Sequence, residues 1–84
     1  MEHDLKVLFF GILGYQFGRE AEIEVSEACS VAELRKRLAA MRPDCEDAIW
    51  ARSVRACVDQ RMVSEDTMVG PGQEVAFFPP LSGG

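Results

Sequence analysis

Histidine, tryptophan and tyrosine each occur once among the 84 residues, and cysteine three times. Cys29, Cys45 and Cys57 form no Cys-x-x-Cys pair, and His3 is the lone imidazole, so no zinc spacing exists and no bound metal is expected. An odd thiol count in a short chain argues for reduced cysteines and a cytoplasmic address rather than a disulfide framework. Positive charge is scarce: 9 Lys and Arg stand against 14 Asp and Glu, a net charge of -5. That balance disfavours nucleic acid and anionic membranes as partners, since both reward clustered cations. Long apolar runs are missing too. The run from Val7 to Leu13 is too short to span a bilayer, follows Glu2, His3 and Asp4, and leads into no small-residue cleavage site, so a strand is expected rather than a signal peptide. Repeats, low-complexity segments and internal linkers are also absent, which leaves one domain near the lower size limit for a single hydrophobic core.

What remains is an ordinary globular balance, 48% hydrophobic and 27% charged. In LKVLFF, Leu5, Val7 and Phe9 point one way and Lys6, Leu8 and Phe10 the other; in EAEIEV, Ala21, Ile23 and Val25 alternate with Glu20, Glu22 and Glu24. With Gly11 and Gly14 between them, the two segments read as a hairpin. Ser30 and Glu33 form a capping box, with Cys29 placed as a hydrophobic staple for Leu34. Val31, Leu34, Leu38 and Met41 then share a helical face, Arg35, Lys36 and Arg37 are expected mainly outward as a solvated basic run, and Pro43 ends the helix near Met41 or Arg42. In DCEDAIWA the expectation is a loop with a short helical turn that tucks Trp50 against the core edge. SVRACVD reads as a strand with Val54, Ala56 and Val58 inward. A turn at Gln60–Arg61, a short strand around Met62–Val63 and the tight connection GPGQ lead to EVAFF, in which Val75 and Phe77 oppose Ala76 and Phe78.

This order predicts an α+β domain: a mixed β-sheet with one main helix packed across one face. The second face is left uncovered, carrying Leu8, Phe10 and Phe78 as an apolar patch of the kind that marks a partner site, provided that the first and last strands are neighbours. Cys57 is expected on this open face as an unreactive thiol, because no base or second cysteine accompanies it.

The opening KVLFF, the helix entry SVAEL, the segment DQRMVS and above all the ending GPGQEVAFFPPLSGG resemble the small, sulfur-carrying subunits of molybdopterin synthase, ubiquitin-like β-grasp proteins of the MoaD/ThiS class. The resemblance runs over the whole chain and is weakest between Asp44 and Arg52. It implies a β-grasp domain over residues 1–78 and an extended tail over 79–84. It implies further that an activating enzyme related to ubiquitin-activating enzymes adenylates the Gly84 carboxylate with ATP. A sulfur donor of the cysteine desulfurase or rhodanese type then makes a thiocarboxylate. The tail next enters the large synthase subunit and gives sulfur to cyclic pyranopterin monophosphate, forming the molybdopterin dithiolene. On this resemblance the assembly is a heterotetramer of two large and two small subunits. Catalytic side chains are expected on the large subunit, this chain binds no cofactor of its own, and Phe10, Met62 and Phe78 fall where the family contacts that subunit.

The tail residues suit that chemistry. At neutral pH the terminal carboxylate, with an ordinary pKa of roughly 3.5, is a poor electrophile until activated. Gly83 and Gly84 lack Cβ and fit a narrow channel. Pro79 and Pro80 stop sheet pairing after Phe78 and favour an extended exit, with Leu81 as an apolar anchor and Ser82 as a hydrogen-bonding side chain. Six residues at about 3.1 Å each reach roughly 19 Å. Two alternatives share the activated carboxyl: a carrier for thiamine, cysteine or tRNA thiolation, and a ubiquitin-like modifier joined to lysines.

Overall fold

The alternating segments of the sequence become the strands of one mixed sheet. In a computed structural model, which describes residues 4–11, 13–51 and 54–79, β1 (Asp4–Phe9) pairs antiparallel with β2 (Glu20–Glu24), Leu5 opposite Ile23. On its other side β1 runs parallel to β7 (Glu74–Phe78), with Val7 opposite Val75 and Phe9 opposite Phe77. Antiparallel to β7 lies β4 (Arg55–Val58), followed by β5 (Arg61–Val63), so the order is β2-β1-β7-β4-β5. The first and last strands are thus neighbours, as the open-face patch requires. A separate two-residue pair joins β3 (Cys29–Ser30) to β6 (Met68–Val69).

The main helix, α2 (Val31–Met41), starts where the sequence places it. Ser30 is the N-cap, its Oγ accepting from the Glu33 N–H at 3.1 Å. Two further first-turn donors are satisfied from afar: the Val31 N–H by the Thr67 carbonyl at 3.0 Å and the Ala32 N–H by that of Glu65 at 3.1 Å. One face of α2 buries Val31, Leu34, Leu38 and Ala39 in the same cluster as Leu5, Val7, Phe9, Ile23, Val25, Val54, Ala56, Val58, Val75 and Phe77. The expected α+β layering, one main helix across one face of a mixed sheet, is therefore present.

Four local expectations are corrected. The β1–β2 connection is a short helix, α1 (Leu13–Phe17), rather than a glycine turn: Leu13 is buried, and Phe17 stacks on Phe9 with ring centroids 5.0 Å apart. Met41, expected inward, is exposed at the helix end. The segment after Pro43 forms a 3-10 turn (Pro43–Cys45) and α3 (Glu46–Trp50), and Ile49 rather than Trp50 fills the core. The β4–β5 turn falls at Asp59–Gln60, with φ of 50° and 73°, one residue earlier than expected. His3 lies outside the described residues.

Candidate functional site

Residues directly opposite each other in neighbouring strands project from the same face, so the register writes out the open face in rows. Across β1, β7, β4 and β5 the central row reads Leu8, Ala76, Cys57, Met62. One row toward the ends of β1 and β7, Phe78 pairs with Arg55. Phe10 lies just past β1, its N–H donating to the Phe77 carbonyl at 3.1 Å. Its ring stacks on Phe78 at 4.6 Å between centroids and 5° between planes. One row the other way from the centre the face turns charged, with Lys6 between Glu22 and Glu74. Phe10 remains 43% exposed and Met62 64%. An apolar centre with a charged margin is the anatomy of a protein-binding patch. The structure thus brings Phe10 and Phe78 into contact, with Met62 on the same face, and Cys57 half-buried between them and the sheet's far edge.

The patch adjoins the root of the C-terminal segment. β7 ends at Phe78, and half-buried Pro79 follows, with no N–H to continue a ladder. Pro79 sits against Gly11, where a Cβ would lie only 2.7 Å from its Cγ. Pro80, Leu81, Ser82, Gly83 and Gly84, expected as the inserting tail and its reactive end, lie outside the described residues.

Behind the same strand lies a residue that sequence reasoning misassigned. Arg35, expected on the solvated face of α2, is 4% exposed. Its Nε and Nη2 each donate to the Glu65 carboxylate at 2.9 Å, Nη2 also reaches the Val54 carbonyl at 2.8 Å, and Nη1 donates to that of Ile49. The guanidinium also lies 5.2 Å from the centroid of the Phe77 ring. A usable signal was present, since position 35 is four residues after Val31 and three before Leu38, squarely on the apolar stripe. Cys29, just before α2, is buried, which pushes its thiol above the usual range; Arg37 acts in the opposite sense and Glu33 adds to the rise. Among the described residues no three His, Cys, Asp or Glu side chains gather as a metal site, and no helix is long and apolar enough to cross a membrane.

The chain is 36% identical over 80 residues, 95% of its own length and 99% of the other's, to the molybdopterin synthase sulfur carrier subunit of Escherichia coli K12. Its fold superposes on the small archaeal modifier protein 1 of Haloferax volcanii with a TM-score of 0.82 at 18% identity, covering 93% of this chain and 98% of that one. It also superposes on a chain in the complex of subunits 1 and 2 of molybdopterin-converting factor from Helicobacter pylori 26695, with a TM-score of 0.65 at 17% identity, covering 96% and 99%. At those identities the two structures speak to the fold, a ubiquitin-like β-grasp. Residues 7–84 match the ThiS family, and with the E. coli relative aligned along nearly its whole length, the chain belongs to that family.

Proposed function

We propose that this chain is a sulfur-carrying subunit of molybdopterin synthase. The observation that carries the reading is the 36% identity to a sulfur carrier subunit along 99% of that protein. The geometry supports it: an apolar face suited to a partner lies beside the strand end from which the final residues depart. In this reading the Gly84 carboxylate attacks the α-phosphate of ATP on an adenylating enzyme and pyrophosphate leaves. The terminal sulfur of a persulfide on a desulfurase- or rhodanese-type donor then attacks the adenylate carbonyl and displaces AMP, and a thiol reduces the resulting acyl disulfide, leaving the thiocarboxylate and a disulfide on the donor side. The Phe10, Phe78 and Met62 face docks on the large subunit, while residues 79–84 carry the thiocarboxylate to cyclic pyranopterin monophosphate for dithiolene formation. Glycine at the last two positions leaves the reacting carbonyl unhindered. The subunit 1 and 2 complex from H. pylori supports a large subunit as partner.

Intact mass after incubation with ATP, an adenylating enzyme and a sulfur source tests the reading. The expected product is heavier by the exchange of one oxygen for sulfur, and deletion of Gly84 or one added residue abolishes it. An unchanged mass sinks the proposal. A second reading, a protein modifier, draws on the fold shared with small archaeal modifier protein 1; it predicts isopeptide-linked ladders in place of the thiocarboxylate. Thiamine, cysteine or tRNA thiolation carriers share the product, and co-purification with a large synthase subunit separates them.

A further inference from the structure

The two residues that follow β1 meet the last residue of β7 and the one after it. Phe10 stacks on Phe78, and Gly11 faces Pro79. The first pair is fixed by the ring contact and by the Phe10 N–H on the Phe77 carbonyl. The second is fixed by shape. Gly11 has φ of +60°, and its carbonyl accepts from the Gly14 N–H at 3.0 Å as α1 begins, so its backbone is held by the helix entry. A side chain there would place its first carbon 2.7 Å from Cγ and 3.5 Å from Cδ of Pro79. The proline ring occupies the space that the missing side chain leaves, and proline's locked φ converts that contact into a direction for the chain beyond it.

We infer that the corner between β1 and α1 is a seat for Pro79, and that Gly11 is a positioning residue which sets the angle at which the final residues approach a partner's reaction centre. The inference rests on the sulfur-carrier reading. A carbonyl presented to an adenylating site needs near-attack geometry, and a misplacement of about 1 Å costs on the order of a hundredfold in rate. Gly72 supplies the control: its φ is also positive, +86°, yet a Cβ there would meet nothing within 4 Å.

The test compares Gly11→Val with Gly72→Val, each assayed per folded molecule for thiocarboxylate formation with ATP, adenylating enzyme and sulfur source. Both substitutions strain the backbone. Only Gly11→Val is expected to lower kcat, by about tenfold or more, with a smaller change in KM for the carrier. Pro79→Ala in the otherwise unchanged chain removes the seated ring and its fixed φ, and is expected to lower kcat as Gly11→Val does while leaving the fold intact. Equal rates for the two valine variants, or wild-type kcat for Pro79→Ala, overturn the inference. In the free wild-type protein, proton cross-relaxation between Gly11 Hα and the Pro79 ring reads the seat with no enzyme present, and its absence overturns the inference by itself. Should that contact be found in a chain that acquires no sulfur, the sulfur-carrier reading fails and the positioning role falls with it, while the seat itself stands.

Discussion

Burying a guanidinium is expensive unless its nitrogens find acceptors, and each of the three in Arg35 does, with a carboxylate and two carbonyls. Because Glu65 keeps about half of its side chain in water (47%), the ion pair by itself is worth little; the weight falls on the carbonyls of Ile49 and Val54. Arg35→Ala leaves both without this donor and opens a cavity against Phe77, so a loss of about 3 kcal/mol is expected in urea unfolding. Lysine offers a single ammonium in place of the planar fork, and Arg35→Lys is expected to recover less than half of that. Glu65→Gln keeps an acceptor and is expected to cost about 1 kcal/mol or less. A loss for Arg35→Ala no larger than for Glu65→Gln would mean that the carbonyl contacts contribute nothing. Cys29 yields a prediction that depends on pH. Burial raises its folded-state pKa, so between the ordinary thiol value of about 8.5 and the raised value the unfolded chain releases a proton that the folded one retains. Its contribution is complete below about pH 8.5 and is lost as pH rises toward the folded pKa. Cys29→Ala is therefore expected to flatten the alkaline decline of stability in unfolding curves recorded from about pH 7 upward.

At the scale of elements, α2 depends on its N-terminus. Ser30→Ala removes the acceptor for the Glu33 N–H and is expected to cost about 1 kcal/mol, read as a lower urea midpoint with unchanged slope. A midpoint shift within error would mean that the Thr67 and Glu65 carbonyls suffice for that turn. This cap is legible in the sequence because it is local: a serine, a glutamate three residues on and an apolar stripe. So are the strands Asp4–Phe9, Glu20–Glu24, Arg55–Val58 and Glu74–Phe78, whose period-two alternation survives in the buried set Leu5, Val7, Phe9, Ala56, Val58, Val75 and Phe77. The illegible parts are those that distant residues decide. The two-residue strands β3 and β6 exist because they pair with each other, Cys29 with Val69 and Ser30 with Met68, and no local window holds both partners. Flanking glycines disguise α1 as a turn until Leu13 and Phe17 find the core, and the charge of Arg35 hides a position that belongs to the apolar stripe. At the candidate site, Phe10, Phe78 and Met62 follow from alternation and family resemblance, whereas the contact of Gly11 with Pro79 needs the parallel pairing of β1 with β7.

For the molecule as a whole, the single main helix divides the sheet into a sealed face and an open one, and β7 carries both. Phe77 is fully buried between Phe9 and Arg35, while the next residue, Phe78, lies half-buried on the opposite side against Phe10. The alternation separates stability from recognition within two adjacent positions. Phe77→Asp would place a carboxylate in the core and is expected to unfold the domain. Phe78→Asp instead puts the charge where water already reaches. On the proposed reading it removes a stacked aromatic anchor from the docking face, where losses of about 2 kcal/mol or more are typical, or roughly thirtyfold in affinity. Titration calorimetry against a large synthase subunit, paired with urea unfolding of the free variant, compares the two costs. The expected result is a fall in affinity of that order with a stability loss of about 1 kcal/mol, and a smaller affinity loss for Met62→Asp at the margin of the same face. Unchanged affinity for Phe78→Asp would mean that the open face is not what the large subunit holds, and that recognition resides in the C-terminal segment alone.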